Sequence, residues 1–360
     1  MAPVPTEVAG AQIVSEKFVI VVRIYKNPPY LYPKQNEETM SSTESKPATV
    51  YMTKEITPES LIRMYEILGI PARGRVAVKI STGEPGGHNY LKPELIGPLV
   101  RKVGGTIVEC NTAYGGPRGD NEGHLQAARD HGFLDIAPFE LLDAEGELRI
   151  PVRDTTYLKY DIVGAGLANY DFMINLAHFK GHTMGGFGGV LKNQSIGVAS
   201  QGGKCYQHST GKAENIDDFN ALLLSTVTEE GAGLEAADWV AITHSHDAFH
   251  ECMADCAAAV EDYMGKGKIL YINVMNNLSV DCDCDGCPAD PEMHDIGILS
   301  SLDPVALDQA CVDLVFNYED KEGDSAASLK ERITSRHGIH IVEHAEKIGL
   351  GTRKYELVKV

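Results

Sequence analysis

RVAVKISTGEPGGHNYLKPELIGPLVRKVGGTIVECN, residues 75–111, decides the fold. RVAVKIS (75–81) is β-branched and apolar, a buried strand. A glycine-rich turn, TGEPGGHNY, comes next, and LKPELIGPLVRKVG reads as a helix to about Val103, with Pro98 placed to bend it. GTIVECN (105–111) is a second buried strand, leading into TAYGGPRGD and the helix NEGHLQAARDHG. Strand, glycine-rich loop and helix thus occur twice in succession, the βαβ signature of a parallel sheet.

The same grammar extends outward. VYMT (50–53) reads as a strand, and TPESLIRMYEIL as a helix with Thr57 as N-cap, Pro58 at its first position and Leu61, Ile62, Tyr65 and Leu68 as its apolar stripe. Further strands are expected around IAPFELLD, ELRIPV, YDFMINLAHF (170–179), KILYINVMNN (268–277), DIGILSS (295–301) and KYELVKV. Asp303 caps the helix DPVALDQACVDLVFN, and a long helix starts at about Ala248. The expected architecture is α/β, a mainly parallel sheet flanked by helices over residues 48–360, with 200–265 as a candidate subdomain or lid. Residues 1–47, with one short apolar run at Phe18–Val22 and then polar KQNEETMSSTESKP, read as a poorly ordered tail.

Composition narrows the function classes. Lys plus Arg number 32 and Asp plus Glu 51, a formal charge of −19, which argues against nucleic acid or an anionic membrane as partner. No run of about 18 apolar residues suggests a bilayer span. Eight cysteines in 360 residues are far too sparse for a secreted disulfide scaffold, and a reducing cytoplasm is the expected compartment. A homo-oligomer is left open.

Three strands run into glycine-rich loops, and in open parallel sheets ligands bind beyond the carboxyl ends of the strands. These loops offer His88, Asn111 and, in HFKGHTMGGFGGVLKN, Gly185, Gly186, Gly188, Gly189 and Asn193 as ligand-binding candidates. Lys180, Lys192 and Lys204 form a cationic cluster in an acidic chain, suited to a carboxylate or phosphate. His182 and His208 could move a proton beside it, which makes His182, Lys180, Lys192 and His208 the catalytic candidates. In DCDCDGC, Cys282 and Cys284 are alternate residues and Cys284 and Cys287 have CxxC spacing, so Cys282, Cys284, Cys287 and Asp283 are candidate metal ligands. A fourth ligand from elsewhere could be Asp283, His294 or Cys205. The interleaved carboxylates disfavour a free thiolate, which argues against a catalytic cysteine. In HSHDAFHECMADC, the His246/His250 and Cys252/Cys256 pairs sit about 120° apart on a helix, so they do not share one ion.

Four blocks, IVECNTAYGG, YDFMINLAHFKGHTMGGFGGVLKNQSIG, LYINVMNNLSVDCDCDG and DIGILSSLDPVALDQACVDLV, resemble the domain of unknown function 362 family, often labelled uncharacterised iron–sulfur-centre proteins. The resemblance covers about residues 48–360. It implies a cytoplasmic α/β protein with Cys282, Cys284, His182, Lys192 and Asn193 at a pocket and no assigned roles. Many relatives carry a ferredoxin-like insert; the corresponding 209–262 has only Cys252 and Cys256, so ferredoxin-type 4Fe-4S clusters are not expected. Three functions follow: a metal- or iron–sulfur-associated protein with an anionic small-molecule pocket, an enzyme acting on a small carboxylate or phosphate metabolite through Lys and His, or a non-catalytic metabolite-binding module.

Overall fold

The computed structural model describes residues 46–226 and 242–360, so nearly all of the expected N-terminal tail and part of 200–265 lie outside the described residues. The strands are β1 (Ala48–Thr53), β2 (Val76–Lys79), β3 (Thr106–Glu109), β4 (Phe139–Leu141), β5 (Glu147–Ile150), β6 (Asp161–Gly164), β7 (Phe172–His178), β8 (Lys180–His182), β9 (Gly186–Gly188), β10 (Ile269–Met275), β11 (Gly297–Ser301) and β12 (Tyr355–Lys359). The helices are α1 (Pro58–Glu66), α2 (Pro93–Lys102), α3 (Asn121–Asp130), α4 (Phe133–Ile136), α5 (Val190–Gln194), α6 (Gln201–His208), α7 (Ile216–Thr226), α8 (His246–Met264), α9 (Pro304–Phe316), α10 (Ala327–Ser335) and α11 (His340–Lys347).

Eight strands form one sheet in the order β12-β1-β11-β10-β7-β2-β3-β4. Every pairing is parallel except those of β11, which runs against both β1 and β10. The chain builds outward from β2 to β3 and β4, then returns to lay β7 and β10 on the other flank of β2. The strand order therefore reverses between β2 and β7, the place where such sheets bind ligands. β5–β6 and β8–β9 are separate antiparallel pairs, and β8–β9 grows directly out of the end of β7.

The α1 helix shows how locally this fold is written. Thr57 accepts from the Ser60 amide while the Ser60 hydroxyl accepts from the Thr57 amide, a capping box ahead of Pro58. Its buried stripe is Leu61, Met64 and Tyr65, with Met64 taking the place expected for the half-buried Ile62. The sheet is covered on both faces. One core joins α1 and α2 to Val78, Ile174, Leu270 and Ile272; the other joins α8 and α9 to Met173, Ala177 and Tyr271.

The second face carries polar residues where a doubly covered parallel sheet is normally apolar. Lys79, Asn175 and Asn273 share its inward parity, with Lys79 and Asn175 in register. Asn175 donates to Val190 O and Gln194 Oε1, and Asn193 Nδ2 donates to Asn175 Oδ1 and Lys79 O. Asp308, fully buried on α9, accepts the Val190 and Leu191 amides at 3.0 Å each and Asn273 Nδ2 at 2.7 Å. A carboxylate 118 residues away thus caps the N-terminus of α5. Gly189 is required beneath it, because a Cβ there would lie 2.3 Å from Asp308 Oδ1.

Asp308→Ala should leave two backbone donors unpaired in the interior, and the Asn273 amide with Cys311 Sγ alone, and cost about 3 kcal/mol. Urea unfolding checks this; a loss below about 1 kcal/mol would mean that α5 is held by its apolar contacts instead.

Candidate functional site

A cavity of about 630 Å³ opens at the carboxyl edge of the sheet, over the strand-order reversal. Four loops and two helices build it: Ser81 and Glu84 after β2, Cys110 and residues 112–118 after β3, Lys180, residues 182–184, Gly188 and Gly189 after β7, Cys282 and residues 284–286 after β10, Lys192 and Asn193 on α5, and Lys204 and His208 on α6.

The sulfur wall forms as follows. Cys282 and Cys284 alternate, so both side chains reach the cavity while Asp283 between them points into the protein. Asp283 pairs with His178 Nδ1 at 2.8 Å and Lys180 Nζ at 3.0 Å. Burial opposes its ionisation, yet His178 and Lys180 hold the carboxyl well below its ordinary range. The two Sγ atoms and one ring nitrogen of His182 lie within 4.8 Å of one another. The Cys284 thiol donates to Cys282, and with Lys192 and Lys180 this holds Cys282 well below the usual thiol range, against burial; Cys284 is correspondingly raised. Lys192 Nζ is 3.9 Å from Cys282 Sγ. The carboxylate expected to disfavour a thiolate here is directed away from it and neutralised, and ammonium groups stand in its place.

The His182 ring has a defined tautomer. Its Nδ1 accepts the amides of Met184 (3.3 Å) and Gly185 (2.9 Å), which puts the proton of the neutral ring on Nε2. Burial, then Lys192 and His208, hold His182 well below the ordinary imidazole range, and burial with Lys192 and Lys204 brings His208 down to about 3. Both rings are neutral at physiological pH. His208 stacks on Phe249, with ring centroids 4.7 Å apart.

On the opposite wall Lys79 Nζ meets Glu109 Oε2 at 2.7 Å and Asn193 Oδ1 at 3.2 Å. Arg118 bonds Glu84 through Nε at 2.6 Å, and the Tyr114 hydroxyl donates to the same carboxylate at 3.0 Å. Burial works against Glu109, but Lys79, His124 and Arg118 bring it down to about 2.

The family model described as "Domain of unknown function (DUF362)" matches residues 76–313, about two thirds of the chain. The chain belongs to this family. Every strand that feeds the cavity falls within the DUF362 match, which spans β2 to β11; β1 and β12 of the sheet lie outside it. Among solved structures the chain is similar to the lactate racemase apoprotein from Thermoanaerobacterium thermosaccharolyticum, at 11% identity and a TM-score of 0.35, over 63% of this chain and half the length of that one. No curated protein matches.

In this DUF362 chain, Lys180, His182, Gly188, Gly189, Lys192, Asn193, Lys204, His208, Cys282 and Cys284 come together at one cavity. Other expected positions lie elsewhere. Cys287 is exposed, because its amide bonds Asp285 Oδ1 in a tight turn that carries the chain outward; CxxC spacing does not make it a third sulfur. Asp283 is committed to His178 and Lys180. His88 is exposed against Asp290, and Asn111 bonds Asn121 and His124. Gly185 and Gly186 do not line the cavity; Gly186 instead crosses Gly338, whose Cα would lie 2.9 Å from a Cβ there. Of the outside ligands considered, Cys205 is buried in a separate apolar cluster and His294 pairs with Asp324. Cys252 and Cys256 are core residues. Lys79 and Glu109 are the additions. Their signal was a charge at the end of each of two apolar runs, VAVK (76–79) and TIVE (106–109).

Glu109→Gln removes the anion facing buried Lys79 and should cost about 3–5 kcal/mol at neutral pH. The carboxyl's stabilisation is complete above its unfolded pKa near 4.5 and is lost as pH falls towards 2. The wild-type advantage over the variant in urea should therefore be constant above about pH 5 and narrow through that window; an advantage that is flat down to pH 2.5 would refute the pairing.

Proposed function

We propose that this chain binds a small carboxylate- or phosphate-bearing metabolite in the cavity and acts on it beside a soft metal ion held by Cys282 and Cys284, with His182 in reach. The observation that carries this reading is the convergence of two sulfurs and an imidazole in the wall of a cavity that also presents Lys79, Lys180, Lys192 and Lys204.

The donor chemistry fits a single ion. Two thiol sulfurs and an imidazole suit zinc or a similar borderline-to-soft metal with a position left open. A cubane cluster needs four thiolates, and two converge here among the described residues. Cys282 already leans toward the thiolate, and Cys284 would follow on binding, so loading releases protons. Such an ion would polarise a substrate oxygen.

The protein's own groups do the rest. Lys192 and Lys204 offer ammonium donors to the anion. His182, neutral with its proton on Nε2, is a hydrogen-bond donor at the same wall; it would become a ligand through Nε2 only with its proton moved to Nδ1 and the Met184 and Gly185 amides released. His208 faces the same space in its neutral form and can accept or pass a proton. Asn193, fixed by Lys79 O and Asn175 Oδ1, holds the turn of α5 that carries Lys192.

Protein purified anaerobically should contain at least one equivalent of metal and no acid-labile sulfide, and Cys282→Ser with Cys284→Ser should contain one equivalent less. His182→Gln should retain less than wild type while remaining folded. Elemental analysis and absorption spectra check this; four irons with matching sulfide, or undiminished metal in the double variant with the cavity site empty, would overturn it. Lys192→Ala should weaken binding of inorganic phosphate about tenfold by calorimetry, and unchanged affinity would move the anion site elsewhere.

A further inference from the structure

A second group of ligand-type side chains lies behind the same glycine loop, on the face away from the cavity. Asp247 is in the first turn of α8, His337 in the turn between α10 and α11, and His340 at the start of α11. Their donor atoms lie within 4.8 Å of one another. His337 Nδ1 is 2.5 Å from Asp247 Oδ1, and the rings of His337 and His340 stack with centroids 5.1 Å apart. Glu251 Oε1, one turn along α8, is 3.0 Å from His340 Nε2.

Two features go beyond an ion-pair seam. His337 holds a left-handed backbone, φ +51°, which a non-glycine residue adopts at a cost and which turns its ring onto His340. His344, 2% exposed, has an Nδ1 without a hydrogen-bond partner, 3.8 Å from the Glu251 oxygen that His340 also faces. Stacked imidazoles that both carry protons repel, whereas a shared cation lets both be neutral nitrogen donors beside carboxylate oxygens.

We propose that Asp247, His337 and His340 form a divalent-cation site of mixed nitrogen and oxygen donors, suited to a borderline ion such as zinc, with Glu251 as neighbouring carboxylate. Tetrahedral zinc with bonds near 2.0–2.1 Å places its ligands roughly 3.4 Å apart, so the His337–Asp247 pair, at 2.5 Å, opens by about 1 Å while the wider separations, at most 4.8 Å, close by about 1 Å or somewhat more. All three side chains are partly exposed, which gives an ion a way in. The site ties the start of α8 to the α10–α11 turn. Both elements grip the loop bearing His182: from the turn, Arg336 Nε donates to Thr183 O at 2.7 Å and Gly338 lies against Gly185 and Gly186, and from α8, His250 Nε2 meets Gly185 O at 3.1 Å.

The test uses the full chain in a Cys282→Ser, Cys284→Ser background, which removes the sulfur wall. Zinc chloride titrated against a chromophoric chelator should still find one equivalent of sites, and zinc should raise the melting temperature. Adding His337→Asn and His340→Gln should abolish both effects. Asn tolerates the left-handed backbone, so the variant is expected to fold, which circular dichroism verifies. No zinc bound in the double-serine background, or one equivalent surviving the histidine changes, overturns the proposal. Failure of the sulfur site alone would read differently: one equivalent in wild type, unchanged by the two serines.

Discussion

A buried carboxylate seats the helix on which the cavity depends. α5 has five residues, too few to stand as an isolated helix. It persists because Asp308 receives its first two amides while Asn175 and Asn193 tie its carbonyl and side-chain groups to the floor of the sheet. Burying a carboxylate and two amides in a sheet otherwise filled with Val, Ile and Leu is costly unless every group finds a partner. The network largely meets that condition, and it fixes α5 by direction as well as depth. Lys192 and Asn193 then project into the cavity from a rigid base rather than from a loop.

Close backbone approaches account for two of the glycines in HFKGHTMGGFGGVLKN. Gly189 makes room for Asp308, and Gly186 lets two backbones cross at Gly338. Both are close approaches between segments more than 100 residues apart. Their stretch of sequence runs along the cavity, while the physical reason for these two glycines lies in partners that local reading does not see.

That distinction runs through the chain. The strand, loop and helix grammar was legible because it is local: β-branched runs, the Thr57 and Asp303 caps and the prolines at helix starts each act within a few residues. The family blocks likewise identified the stretches that meet at the cavity. What was not legible depended on orientation across the fold. The carboxylate of Asp283 turns inward because His178 and Lys180 wait there, which reverses the electrostatics expected for Cys282. Cys287 is carried off by a turn bonded to Asp285. Lys79 and Glu109 look like interruptions in two separate strands until β2 and β3 pair, with Lys79 in register with Val108, and the Lys79 ammonium meets the carboxylate of the next residue, Glu109. The reversed direction of β11 also had no local marker, since an isolated apolar strand has the same pattern either way.

Charge within the cavity follows from these placements. In a chain of net charge −19, four lysines converge on one space, and the protein balances three of them internally. Glu109 faces Lys79, Asp283 faces Lys180, and the Cys282 sulfur faces Lys192. An anion entering this space competes with those partners, and two of the three are buried carboxylates in short, fixed pairs. The sulfur contact is the loosest, at 3.9 Å, and the only one whose charge a second ligand can take over. On the reading proposed for the site, a cation drawn onto Cys282 and Cys284 releases Lys192 toward the anion, and an anion on Lys192 in turn favours the cation. Linkage makes that coupling reciprocal. The two halves of the site are then one device, in which the lysine that stabilises the empty thiolate becomes the donor that receives the substrate.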